Sequence, residues 1–162
     1  MDKEVRMGEI EVAKGEDTLI ALGIGSCLVV TLYDPKQKIG ALAHTMLPAR
    51  RMSSESRNAE NERRDTRYAS PDTRYADIAI DEMLNKIAAQ GAKKEFITAK
   101  LIGGANMFSA ITSKIGEDNI SYTRERLKKQ GIPIVGECVG GSQGRSVEFS
   151  VASGIVTVKT KF

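Results

Sequence analysis

Residues 28 to 47 read "LVVTLYDPKQKIGALAHTML", two apolar runs separated by Asp34-Pro35-Lys36-Gln37. The first run is rich in branched and aromatic residues and the insert carries turn chemistry, so the segment predicts a β-hairpin. Its first arm does not alternate polar with apolar residues. A strand that is apolar on both faces has to be covered on both, which places this arm at the centre of a sheet with material packed above and below.

One domain suffices for such an arrangement, since 162 residues can bury a sizeable core unaided. The chain is 41% apolar and 28% charged, and no apolar run approaches the roughly 18 residues of a membrane span, so no membrane insertion is expected. The opening residues, Met-Asp-Lys-Glu-Val-Arg, do not resemble an export leader. A cytoplasmic location follows as an expectation, with Cys27 and Cys138 as free thiols. One histidine and two separated cysteines give no metal-ligand spacing, and neither a metal nor a cofactor is expected. The 24 basic and 21 acidic residues nearly cancel, so no nucleic-acid partner is expected either.

Further strands are predicted over Val5 to Lys14, Thr18 to Leu22, Glu95 to Ile102, Ile132 to Val139, Arg145 to Val151 and Ile155 to Lys161. Apolar residues at Ile78, Ile80, Met83, Leu84 and Ile87 recur at helical spacing up to Gly91, and a second helix is predicted from about Glu117 to Gln130, stopped by Gly131. The sum is a mixed α+β domain. Residues 49 to 74 are arginine-rich, poor in aliphatic side chains and contain the near repeat "DTRYASPDTRYAD", which reads as an exposed loop.

Chemistry concentrates around "GIGSC". The single histidine, His44, lies on the second arm of the hairpin. With a two-residue Pro35-Lys36 loop, Asp34 would pair with Gln37, and Cys27 and His44, each seven residues from that pair, would face each other directly. A histidine there could deprotonate the thiol, and the Gly25-Ser26-Cys27 amides could hold an oxyanion. A buried cysteine beside a hydrogen-bonded core histidine remains an equally available reading of the residues alone. "GIGSCL" lacks the third glycine and the following helix of a dinucleotide fingerprint. Gly103-Gly104 after a strand is either a tight turn or a backbone approach to a ligand, and no P-loop lysine follows.

The ordered set "ALGIGSCLVVTLYDP", "GALAHTMLP", "RYADIAIDEM", "KLIGGANMF" and "VGGSQGRSVEFSVASGIVTVK" resembles the CheD family of chemoreceptor glutamine deamidases over nearly the whole chain. The resemblance implies a single CheD-like domain over residues 1–162, a mixed β-sandwich flanked by helices and similar to the catalytic domain of the cytotoxic necrotizing factor toxins. It implies Cys27 as nucleophile and His44 as base, acting on glutamine side chains of methyl-accepting chemotaxis receptors in chemotactic adaptation. Gly103, Gly104 and Asn106 would then shape a pocket for an extended side chain. A receptor methyl ester differs only in its leaving group, so methylesterase side activity is a further expectation. The family's third catalytic position, typically a threonine, falls on Ala21, and Cys138 stands where relatives tend to carry a short polar residue. The resemblance also implies a CheC-type phosphatase as partner, with the chain a monomer when alone. The alternative reading is a binding module that holds and stimulates such a phosphatase with little catalysis of its own.

Overall fold

The computed structural model describes residues 1–49, 72–107 and 114–160. Most of the arginine-rich segment, residues 50–71, lies outside the described residues, so the loop expected there is not part of the structure below. Among the described residues are nine strands: β1 Asp2–Glu4, β2 Ile10–Lys14, β3 Thr18–Ile24, β4 Leu28–Asp34, β5 Ile39–Thr45, β6 Thr98–Gly103, β7 Ile134–Val139, β8 Arg145–Ser150 and β9 Val156–Thr160. Two α-helices, α1 Ala76–Ala89 and α2 Ile115–Lys129, and a short 3-10 turn, Lys94–Phe96, complete the described set. The strands form two mixed sheets, one of four strands in the order β1-β3-β8-β9 and one of five in the order β2-β5-β4-β6-β7. The class is α+β, as the sequence predicts, without a closed barrel.

The hairpin β4–β5 occupies the middle of the stack. Leu28, Val30 and Leu32 with Ala41 and Ala43 pack against Ile80, Met83 and Ile87 of α1 and Leu127 of α2. The opposite face of the same two strands gives Val29 and Leu42 to a second core with Leu19, Ala21, Ile24, Val147 and Phe149 of the four-stranded sheet. Alternation is therefore present in the pairing and invisible in the sequence, because both layers are apolar. α1 follows the expected periodicity, burying Ala76, Ala79, Ile80, Met83 and Ile87 on one face.

Two expectations need correction. The segment Val5 to Lys14 is not one strand: only Ile10–Lys14 is, as β2, antiparallel to β5 in the five-stranded sheet, whereas β1 precedes the segment and runs parallel to β3 in the other. Residues 5–9 cross between the layers, held by Val5 N–H to the Ile20 carbonyl (2.7 Å) and Gly8 N–H to the His44 carbonyl (2.7 Å). The hairpin loop is also longer than predicted. Asp34 pairs with Ile39, not Gln37, so four residues make the turn and Val29, not Cys27, stands opposite His44. The cause is the Asp34 side chain, whose Oδ1 accepts the N–H groups of Lys36 (2.9 Å) and Gln37 (3.2 Å), while its Oδ2 accepts that of Lys93 (2.9 Å). Lys38, at φ 52°, completes the wider turn. The slip is of two residues, an even number, so the side chains keep their faces.

Asp34 is fully buried. Burial by itself would raise its carboxyl pKa, but the amides of Lys93, Gln37 and Lys36, with the Lys36 ammonium, outweigh that and hold it below its ordinary value. A depressed carboxyl stabilises the fold above its unfolded value, about 3.9, and ceases to do so as the pH falls through the folded value. Asp34→Ala should cost about 2–3 kcal/mol in urea unfolding at neutral pH, and that difference should shrink on acidification below about pH 4.

Candidate active site

Cys27 sits in the short turn between β3 and β4, immediately before β4 begins. Each carbonyl of that turn is held from elsewhere. Gly104 N–H donates to the Cys27 carbonyl (2.8 Å), Ala105 N–H to the Gly25 carbonyl (2.9 Å), and Asn119 Nδ2 to the Ser26 carbonyl (2.9 Å). The amides of Ser26 and Cys27, by contrast, have no backbone acceptor among the described residues. With its carbonyls tied inward, the turn is left with N–H groups to offer to a ligand.

The glycine pair after β6 makes this docking possible. Gly103 has φ +117°, and a Cβ there would overlap the Cys27 carbonyl oxygen and stand 2.6 Å from Ile24 Cγ2. Gly104 has φ +66°, and its Cβ would stand 2.6 Å from Ile120 Cδ1 of α2. The two glycines thus permit close backbone approach, but to protein on both sides. The Gly103 carbonyl accepts from Gly140 N–H (2.9 Å) and from Arg145 Nη1 (3.2 Å), and Arg145 Nη2 donates to the Gly140 carbonyl (2.6 Å). Asn106 N–H donates to the Gly141 carbonyl (2.9 Å), leaving the Asn106 side chain on an exposed residue. Met107, 45% exposed, lies over Gly25, its Cγ 3.4 Å from where a Cβ would be.

His44 is 2% exposed and lies on the face of β5 turned toward the four-stranded sheet. Its backbone is fixed by Gly8 and Glu9, its amide donating to the Glu9 carbonyl at 3.1 Å. Its Nδ1 lies 3.2 Å from the Val5 carbonyl oxygen. A carbonyl can only accept, so Nδ1 carries the proton and Nε2 presents a lone pair. That Nε2 is buried and has no hydrogen-bond partner among the described residues. The parallel register of β1 with β3 pairs Glu4 with Ile20, and Val5 N–H continues it by donating to the Ile20 carbonyl. Ala21 itself is fully buried, facing the apolar core.

The register also separates the two thiols. His44, Val29, Ile102 and Cys138 form one row across β5, β4, β6 and β7, so Cys138 stands about 14 Å from His44, three strand spacings away. It lines a groove of 260 Å³ at the sheet edge with Val135, Val156 and Val158. Cys27 lies one residue before the last rung of the ladder, Leu28 with Thr45, and His44 one residue before Thr45 on the facing strand.

Burial raises the Cys27 thiol pKa, with its own amide opposing. Burial likewise lowers His44, with the Val5 hydrogen bond and the Glu9 charge opposing. Both shifts favour the neutral forms, thiol and imidazole. Among the described residues no group of three or more His, Cys, Asp or Glu could hold a metal ion.

Asn119, Arg145 and the Val5 carbonyl are the parts that reasoning from sequence did not find. Asn119 had a signal, an amide on the apolar face of α2 beside Ile120, Thr123 and Leu127. A backbone carbonyl has none.

Gly103→Ala should destabilise the fold by about 2–4 kcal/mol in urea unfolding, through backbone strain and the collision with the Cys27 carbonyl. For His44 the folded pKa lies below the unfolded one, so the unfolded chain takes up more protons on acidification. Its contribution is complete above about pH 6.5 and declines as the pH falls below that value. Between about pH 8 and pH 5, wild type should therefore lose more stability than His44→Gln, measured as the shift in urea midpoint.

A family model described as CheD chemotactic sensory transduction matches residues 46–160. A protein of Methanococcus maripaludis named probable chemoreceptor glutamine deamidase CheD is 40% identical over 97% of this chain and 94% of its own length. One of Geobacter metallireducens, named probable chemoreceptor glutamine deamidase CheD 2, is 38% identical over 98% and 94%. A Clostridium novyi protein, also named probable chemoreceptor glutamine deamidase CheD, is 37% identical over 97% and 93%. With the family model spanning most of the chain and these relatives matching nearly all of it, the chain belongs to the CheD family.

Proposed function

We propose that the protein deamidates glutamine side chains of methyl-accepting chemotaxis receptors, with Cys27 as nucleophile and His44 as general base. The observation that carries this reading is the His44 ring, held at Nδ1 by the Val5 carbonyl and presenting a buried Nε2 with no partner among the described residues, near the end of the hairpin whose first strand follows Cys27. The relatives' names, which say deamidase and chemoreceptor, supply reaction and substrate.

In this mechanism the resting pair is neutral, and His44 Nε2 takes the thiol proton as Cys27 Sγ bonds to the carboxamide carbon. The oxygen of the tetrahedral species meets the amides of Ser26 and Cys27. The imidazolium returns its proton to the departing nitrogen, the C–N bond breaks, and ammonia leaves a thioester. Water, deprotonated by His44, then adds to the thioester carbon; the S–C bond breaks and the thiol is restored. Glutamine and water become glutamate and ammonia. Asn106, exposed beside the turn, is suited to hydrogen-bond the incoming carboxamide, with Gly103 and Gly104 setting the floor beneath it.

The alternative of a binding module for a CheC-type phosphatase drew its force from Ala21, where no hydroxyl can orient the histidine. The Val5 carbonyl supplies that contact, which supports the catalytic reading over the binding one.

Incubation with receptor cytoplasmic fragments, followed by peptide mass spectrometry, tests the reading. Wild type should convert specific glutamines to glutamates. Cys27→Ala should abolish conversion, and His44→Ala should slow it by about 100- to 10,000-fold. Equal conversion by wild type and Cys27→Ala would end the proposal.

A further inference from the structure

Between the turn that carries Cys27 and the strand that carries His44, the β-ladder stops. Leu28 with Thr45 is the last paired rung of β4 and β5. Beyond it the two chains are no longer paired with each other. A single side-chain amide joins them: Asn119 Nδ2 donates to the Ser26 carbonyl at 2.9 Å and to the Met46 carbonyl at 3.2 Å. Both partners are acceptors only, so the orientation of the amide is forced.

Asn119 is fully buried on the inner face of α2. Its Nδ2 meets two carbonyls that a leucine of similar volume would leave without this donor, while its Oδ1 is buried with no hydrogen-bond partner among the described residues. What the amide uniquely does is fix the distance between Ser26, one residue before Cys27, and Met46, two residues after His44.

We propose that Asn119 is a positioning residue for the Cys27–His44 pair, its Nδ2 serving as a surrogate ladder rung that holds the thiol turn and the histidine strand in reactive register. The inference rests on the dyad reading above. Asn119 touches neither reacting atom and acts through the two carbonyls it joins.

The test uses the full chain in a Cys138→Ser background, so that iodoacetamide reports Cys27 alone. Alkylation rate against pH is measured for wild type, Asn119→Leu, His44→Ala and Asp81→Ala. The last removes the helix-anchoring pair of Asp81 with Arg126 (2.6 Å) at a distance from the site. Asn119→Leu should lose about tenfold to a hundredfold in neutral-pH alkylation and in kcat for receptor deamidation, with KM within about twofold. Its pH profile should move toward that of His44→Ala, while Asp81→Ala keeps the wild-type profile whatever stability it loses. A wild-type profile in Asn119→Leu, with His44→Ala altered, would overturn this inference and spare the dyad. Wild-type behaviour in His44→Ala would overturn the dyad itself. If Asn119→Leu does not fold, Asn119→Ser carries the same test. Failure of both to fold, with Asp81→Ala folded, would assign Asn119 to the fold alone and refute the proposal.

Discussion

The Asp34 carboxylate sets the geometry on which the rest depends. By accepting two N–H groups within its own turn and a third from Lys93, it fixes a four-residue connection and with it the pairing of every residue on β4 and β5. A two-residue connection would shift each partner by two, and an odd change would exchange the helix-facing and sheet-facing sides altogether. His44 points into the inter-sheet layer, and Leu28 toward the helices, because the connection has an even number of residues. A charged group without exposure is costly unless its lone pairs are met; here three amides meet them in a place where the hairpin itself needs a stop.

The candidate site is assembled mainly from backbone. Carbonyls of Gly25, Ser26 and Cys27 are bound inward, Gly103 and Gly104 allow the approach, and Arg145 draws the Gly103 and Gly140 carbonyls together. The amides of Ser26 and Cys27 have no backbone acceptor among the described residues, and desolvation favours the uncharged thiol and imidazole. For the proposed reaction this means that proton transfer to the imidazole accompanies attack of the sulfur on its electrophile.

Much of the fold was legible because its signals are local. Apolar spacing placed α1 and α2 within a few residues, and the doubly apolar run from Leu28 announced a strand covered on both sides. Hairpin register was not legible, because Pro35-Lys36 satisfies turn chemistry at either loop length and the choice is made by Asp34 reaching Lys93, distant in sequence. The break between β1 and β2 was hidden for a similar reason: Val5 to Lys14 has β-type composition throughout, and only the existence of two sheets requires the chain to cross. At the site, Cys27 and His44 could be picked out as rare residue types, and the Gly103-Gly104 pair as an unusual one. The partner of His44 could not be found this way, since every residue has a carbonyl.

That last fact has a consequence for how the site tolerates change. A side-chain orienter is lost by one base change; an oxygen of the main chain survives any replacement that keeps position 5 in the core. What it does not survive is a change of length. Adding or removing a residue between Asp2 and Gly8 would move a different carbonyl, or none, into the place above Nδ1, without altering a residue at the site. The N-terminal segment is therefore written as a measured span: its spelling is free, and its count is not.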